Sequence, residues 1–343
     1  MTQQTGPILP GPILLGDIGG TNARFALYDA ASERSPGDGP LLARATLAAS
    51  DYANFDDAVG ACLSTFGVAP AALAGASFAV AAPVGGDAIC FTNSPWQFSH
   101  RALADSLGLA RLTLINDFEA LALRVPSMAP SEFAVLREGE AVARAPKIVL
   151  GPGTGLGVAG IVPLEHAGRT HWRPVPGEGG HIAFAPLDDF EYDLLGFMRS
   201  RHPRVSVERL VCGDGLVAVH SFLLARTGDS TSPPATAAEI TRDAVSGANA
   251  LAREAALRFL AMLGSFAGDC ALLYAARGGV FVGGGIVPRL SSLLAHSTLI
   301  ERFDAKERMS SWVGKIPLNL VTDDAAALRG AAIAHRQDAD RGS

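Results

Sequence analysis

Two stretches of this chain share one form: an apolar strand-length run, a glycine-rich turn, and a second strand-length run. They read ILLGDIGGTNARFALYD over 13–29 and KIVLGPGTGLGVAGIV over 147–162. β-like residues follow each turn, so both turns close hairpins and do not open helices. One hairpin form opening each half of a 343-residue chain predicts two similar α/β lobes facing across a cleft.

The intervening pattern agrees with an α/β chain. Strand-like runs lie at 12–16, 23–28, 76–82, 111–115, 147–151, 157–162, 279–283 and 317–321. Helix-like periodicity covers 52–66, 99–107, 117–124, 190–200, 206–211, 237–245, 248–275, 287–295 and 323–336. The expected division is a small lobe from 1–128, completed by a C-terminal helix within 323–343, and a large lobe from 129–322.

Composition excludes several classes. A net charge of -6 with no Lys/Arg cluster argues against a nucleic-acid partner. The leader MTQQTGPILPGP has neither the basic start nor the apolar run of a signal peptide. Residues 58–86 carry no charge, but Pro70, Pro83 and five glycines interrupt an Ala-rich run, so a buried helix end, loop and core strand are expected, not a membrane span. The four cysteines are scattered singly, which fits core thiols of a reducing cytoplasm.

The glycine turns match neither G-x-x-x-x-G-K-[ST] nor G-x-G-x-x-G. Glycine permits φ > 0 and lets an anion approach backbone N–H groups, and Thr21 and Thr154 add hydroxyl donors. Ordinary hairpin turns remain the plainer alternative. Asp17 weighs against it, because a carboxylate beside a phosphate site repels unless a cation lies between them. Mg²⁺ binds through few carboxylates plus substrate phosphates, so Asp17 could hold it directly or through water. The two turns together point to a metal-bound nucleoside triphosphate. A third cluster, GGVFVGGGIVPRL over 278–290, reads either as close strand-to-helix packing or as a surface for a planar base and ribose.

Polar residues gather between these turns. Strand-like 111–115 ends in Asn116-Asp117, where Asp117 is either a helix N-cap or a catalytic carboxylate at a strand's carboxyl end. Glu178 and His181 lie in PGEGGH, Glu208 in a short helical stretch, and Asn93 in the turn FTNSPW. Two acids, an amide and an imidazole suit recognition of several sugar hydroxyls.

LLGDIGGTNARFALYD, TNSPW, INDFEAL, GPGTGLG, PGEGGH, SVERLVCGDGL and GGVFVGGGIVPR, in this order, resemble the bacterial glucokinase family. That family lies within the actin, hexokinase and heat-shock chaperone ATPase superfamily, and the likeness runs from about 13 to about 336. It implies a two-lobed actin-like (ribonuclease H-like) fold and Mg-ATP-dependent phosphorylation of the 6-hydroxyl of D-glucose, by a cytoplasmic enzyme that commonly forms a homodimer. Position by position, Asp117 resembles the general base. Asn93, Asn116, Glu178, His181 and Glu208 resemble ligands of the sugar. Gly16, Asp17, Ile18, Gly19, Gly20 and Thr21 resemble the first phosphate loop, Gly153, Thr154 and Gly155 lie in the second, and Gly284 and Gly285 resemble the adenosine surface. A related repressor and sugar-kinase family carries a cysteine cluster after its G-H motif. Here IAFAPLDDF follows His181, so no zinc is expected. Three other readings remain: a sugar- or nucleotide-sensing protein without turnover, a kinase for another hexose, and a chaperone-like ATPase that hydrolyses ATP without sugar.

Overall fold

The computed structural model describes residues 11–91, 96–166, 168–228 and 235–341. The chain divides into two compact units, Met1–Met128 with Asp324–Ser343, and Ala129–Asp323.

The first unit is built on strands β1 (Ile13–Ile18), β2 (Asn22–Tyr28), β3 (Leu41–Ala48) and β4 (Gly75–Val80), the short ribbon β5 (Ala88–Cys90) and β6 (Gln97–Ser99), and β7 (Leu112–Asn116). Its main sheet runs β3-β2-β1-β4-β7. β1 pairs antiparallel with β2, whereas β4 runs parallel to both β1 and β7. The carboxyl ends of β1, β4 and β7 therefore share one edge, the edge where α/β folds collect ligands. Helices α1 (Phe55–Phe66), α2 (His100–Leu107) and α3 (Asp117–Arg124) follow from ordinary start and stop signals. Asn54 and Ser99 cap the first two, and Gly67 and Gly108 end them in left-handed conformation. Phe55 of α1 is fully buried among Phe98, Phe78 and Trp96, with ring centroids 4.7, 5.4 and 5.7 Å away. That aromatic cluster fixes α1 against the sheet.

The second unit contains β8 (Phe133–Arg137), β9 (Lys147–Pro152), β10 (Leu156–His166), β11 (Arg169–Val175), β12 (Val280–Val282) and β13 (Leu318–Val321), in the order β11-β10-β9-β12-β13-β8. Its helices are α4 (Asp189–Arg199), α5 (Gly213–Arg226), α6 (Ala237–Ser246), α7 (Ala250–Leu273), α8 (Leu299–Asp304) and α9 (Ser310–Val313). α7 is long and apolar enough to cross a membrane, but 72% of its apolar stretch is buried, and Phe259, Leu260 and Leu263 sit in the unit's main core. The uncharged 58–86 stretch folds as the end of α1, a 3-10 turn and the wholly buried β4.

The last helix, α10 (Ala326–Arg341), returns to the first unit. Ser77 Oγ on β4 donates to Ala331 O at 2.7 Å. Fully buried His335 accepts from Arg111 Nε at 3.1 Å through Nε2, and its Nδ1 lies 3.1 Å from Thr113 Oγ1.

Two expected helices need correction. Ser206 pairs with Ala183 in an isolated antiparallel bridge, residues 207–211 form turns and bends, and the helix begins at Gly213 after the extended N-cap residue Cys212. Residues 287–296 form a 3-10 helix and not an α-helix. β3, β8 and β11, unread in the sequence, are half-exposed or mixed strands whose alternation is diluted by Ala, Arg and Thr.

Candidate active site

In the first unit, Gly16 to Ile18 end β1 and Gly19 to Thr21 form the hairpin turn, closed by Gly19 N donating to Asn22 O at 2.9 Å. Asp17 lies directly across the hairpin from Arg24, whose Nη1 donates to its carboxylate at 2.9 Å. Asp17 is 15% exposed and Arg24 44%, so the acid is held down while its cation reaches outward. Burial raises the Asp17 pKa, and Arg24 opposes that rise.

Asp117 opens α3, one residue beyond β7. The capping position is Asn116, whose Oδ1 accepts from the backbone N–H groups of Phe118 and Glu119 at 3.0 and 3.3 Å. The helix start is therefore satisfied by the amide, and the carboxylate is not needed for it. Asp117 Oδ1 accepts the adjacent Phe118 N–H at 2.9 Å, and the Asn116 side chain also hydrogen-bonds the carboxylate. Burial, reinforced by the charge of Asp17, pushes its pKa up to about 7, against the lowering effect of backbone N–H groups. Two carboxylates close enough to interact, with one half-exposed arginine between strands, form a site that a divalent cation complements.

In the second unit, Gly153 N donates to Gly155 O at 2.8 Å to close the turn between β9 and β10. Gly153 O in turn accepts from Gly213 N at 2.9 Å, which brings the first residue of α5 onto the turn. The positive end of that helix therefore lies at the turn, a setting that favours negative charge. Neither Cys212 nor Gly213 figured in the sequence-based set; the signal that marks them is the polar break CGDG ahead of an apolar 3.6-residue period.

The expected reason for the turn glycines is corrected. Gly19, Gly20, Gly153 and Gly155 have no positive φ, and a Cβ on Gly153 would meet nothing within 4 Å. Backbone conformation and packing thus leave Gly153 unexplained, which leaves access from outside. Gly284 differs: its φ is +80°, and a Cβ there would lie 2.4 Å from Pro152 O. Gly284 is required by the close approach of the 283–285 turn to β9, while Gly285 stands beside open space.

Glu178, His181 and Glu208 come together. His181 Nε2 lies 3.9 Å from Glu178 and Nδ1 3.8 Å from Glu208. Glu208 is in a turn and not in the expected helix, pinned by its own N–H to Gly180 O at 2.9 Å. Its Oε2 accepts from Leu156 N at 2.8 Å, tying this cluster to the strand that leaves the second glycine turn. Glu178 and His181 are more than half exposed, so their polar atoms are available to a hydroxylated ligand. Asn93 lies outside the described residues. Among the described residues no group of three His, Cys, Asp or Glu side chains is placed to hold a metal ion unaided.

Known proteins resemble this chain over nearly its whole length. The glucokinase family profile matches residues 14–338. The chain is 43% identical over 323 residues to a glucokinase of Chromohalobacter salexigens, covering 93% of this chain and 96% of that one. It is 43% identical over 327 residues to a glucokinase of Chromobacterium violaceum, covering 95% and 90%. Among solved structures, a glucokinase from an Antarctic psychrotroph superposes with a TM-score of 0.79 at 36% identity, covering 95% of this chain and 99% of that one. A ROK-family glucokinase from Streptomyces griseus, solved with glucose and AMPPNP, shares the fold at 18% identity, with a TM-score of 0.67 and coverage of 95% and 100%.

Proposed function

The chain belongs to the bacterial glucokinase family and is an ATP:D-glucose 6-phosphotransferase, and from that premise we propose that Asp117 is the base that takes the proton from the sugar's 6-hydroxyl. The observation that carries this reading is a carboxylate released from capping by Asn116 and raised to about 7, near the optimum for a base at neutral pH. As the hydroxyl oxygen attacks the γ-phosphorus, its proton passes to an Asp117 oxygen and ADP leaves with the β–γ bridging oxygen.

The sugar's other hydroxyls are held by Glu178, His181 and Glu208, with Asn116 beside the base; Asn93 joins them on the family resemblance. Carboxylates accept and the imidazole donates or accepts, so an epimer or deoxy sugar leaves a group unpaired. The Gly19–Thr21 and Gly153–Gly155 turns present backbone N–H groups to the triphosphate, and Gly285 flanks the adenosine. Asp17 would hold Mg²⁺ directly or through water, and the bound ion would supply positive charge beside the transferring phosphoryl group. The enzyme acts in the cytoplasm as a homodimer.

A coupled assay for glucose 6-phosphate tests these assignments. Asp17→Ala should raise the KM for Mg-ATP by roughly tenfold or more and leave the glucose Kd within a few-fold. Weakened glucose binding with unchanged Mg-ATP use would contradict the role given to Asp17.

A further inference from the structure

Besides Gly153 and Gly285 in the glycine turns, a glycine within a helix of the second unit has no explanation inside the chain. Gly196 lies in the middle of α4, where glycine costs roughly 1 kcal/mol relative to alanine. Its φ is not positive, it is exposed, and a Cβ there would meet nothing within 4 Å. The buried residues of α4 are Glu191, Leu194 and Met198. At about 100° per residue, Gly196 falls on the opposite face from all three. Around it the exposed positions are Asp189, Tyr192, Asp193, Arg199 and Ser200, a single outward stripe with Gly196 at its centre. Tyr192 is 62% exposed, and Leu187 and Ile182, just before the helix, are 54% and 46% exposed.

We propose that this stripe is where two copies of the chain meet, α4 crossing the partner's α4 antiparallel about Gly196. The inference deepens the homodimer reading by naming its surface. In that register a residue n places before Gly196 faces the residue n places after it on the other copy. Gly196 therefore faces Gly196 of the partner subunit, and two helices without side chains at the crossing approach closely. Asp193 faces Arg199 of the partner subunit, twice by symmetry, and Tyr192 faces Ser200 of the partner subunit. The helix is acidic in its first half and basic at its end, so the antiparallel pairing is self-complementary and the parallel one is not. Arg199 makes no ion pair among the described residues, and Asp193 has only a 3.4 Å contact with Arg226 in which both partners are more than half exposed. One helix pair buries less than a stable dimer needs, so the contact extends beyond α4, and Leu187 and Ile182, exposed just ahead of the helix, are apolar area available to it.

The test uses the full-length enzyme and reads molar mass by sedimentation equilibrium together with glucose phosphorylation per chain. The wild type should be a dimer. Gly196→Arg should be monomeric with kcat per chain retained. Arg199→Glu places like charges opposite Asp193 and should weaken the dimer on the order of tenfold or more. Adding Asp193→Arg in the same chain reverses both charges and should restore it, an effect that mere structural damage would not produce. A monomeric wild type would overturn the homodimer reading and this face together. A wild-type dimer that survives Gly196→Arg, or a charge reversal that restores nothing, would overturn the face alone.

Discussion

Asp117 and Asn116 divide between them two tasks that one side chain could have been asked to perform. The amide accepts the N–H groups at the start of α3, so the helix start does not depend on the neighbouring carboxylate, which sits where burial and Asp17 disfavour its charge. That arrangement has a cost in stability. The folded-state pKa of about 7 lies above the unfolded value of 3.8, so the folded protein holds this proton more tightly. The contribution of Asp117 is therefore most favourable below the unfolded value and declines as pH rises through about 7. Asp117→Asn removes the buried charge and should stabilise the fold by about 2–4 kcal/mol at pH 8, measured by denaturant unfolding, with the gain vanishing near pH 4. The identity of this residue was legible in the sequence as one of two alternatives. Which alternative holds depends on the φ,ψ of its neighbour, information that a strand end followed by Asn-Asp does not carry.

The glycine turns make the same point at the scale of the element. Their hairpin form, their strands and their register are written in the apolar pattern, and the structure has both hairpins as read. What the pattern concealed is which glycines serve the protein and which are open to a ligand. Gly284 is held at positive φ against Pro152 O, so Gly284→Ala should destabilise the second unit by about 2 kcal/mol or more. Gly153→Ala, at a position with ordinary φ and open space, should change stability by under about 1 kcal/mol yet raise the KM for ATP roughly tenfold. Thermal unfolding and initial-rate kinetics on the two variants separate these expectations. α5 was hidden for a related reason. The apolar spacing of Val207, Leu210 and Val211 draws the helix too early, and the polar break CGDG, where Cys212 is extended, is what marks the start at Gly213.

At the scale of the molecule, the return of α10 to the first unit joins residues more than two hundred positions apart. His335, Arg111, Thr113 and Asp338 form one chain of hydrogen bonds beneath the sheet. Arg111 donates to Nε2, so the ring is neutral, its Nδ1–H faces Thr113, and Thr113 donates to Asp338 at 3.2 Å. Burial and Arg111 lower the His335 pKa from 6.5 to about 4. Between those values the unfolded chain binds the extra proton, so stability should fall as pH drops from about 6.5 to about 4 and level off below. His335→Gln should flatten that slope by about 3 kcal/mol across the interval, read from denaturant midpoints at successive pH values. Periodicity predicts that α10 exists, and composition says nothing of this network, because a lone histidine on a helix face carries no sign of its partners. The sequence already set Glu178, His181 and Glu208 together, and the structure brings them within reach of one another; the pairing of Asp17 with Asp117 is what the structure adds.

The most direct test of the base role compares Asp117→Asn with wild type in two measurements, steady-state formation of glucose 6-phosphate and glucose binding by calorimetry. A carboxylate that takes the proton in the transition state predicts a kcat lower by on the order of 10²–10⁴ with the glucose Kd within a few-fold of wild type. Turnover within a few-fold of wild type, or a loss explained wholly by weaker glucose binding, would contradict it.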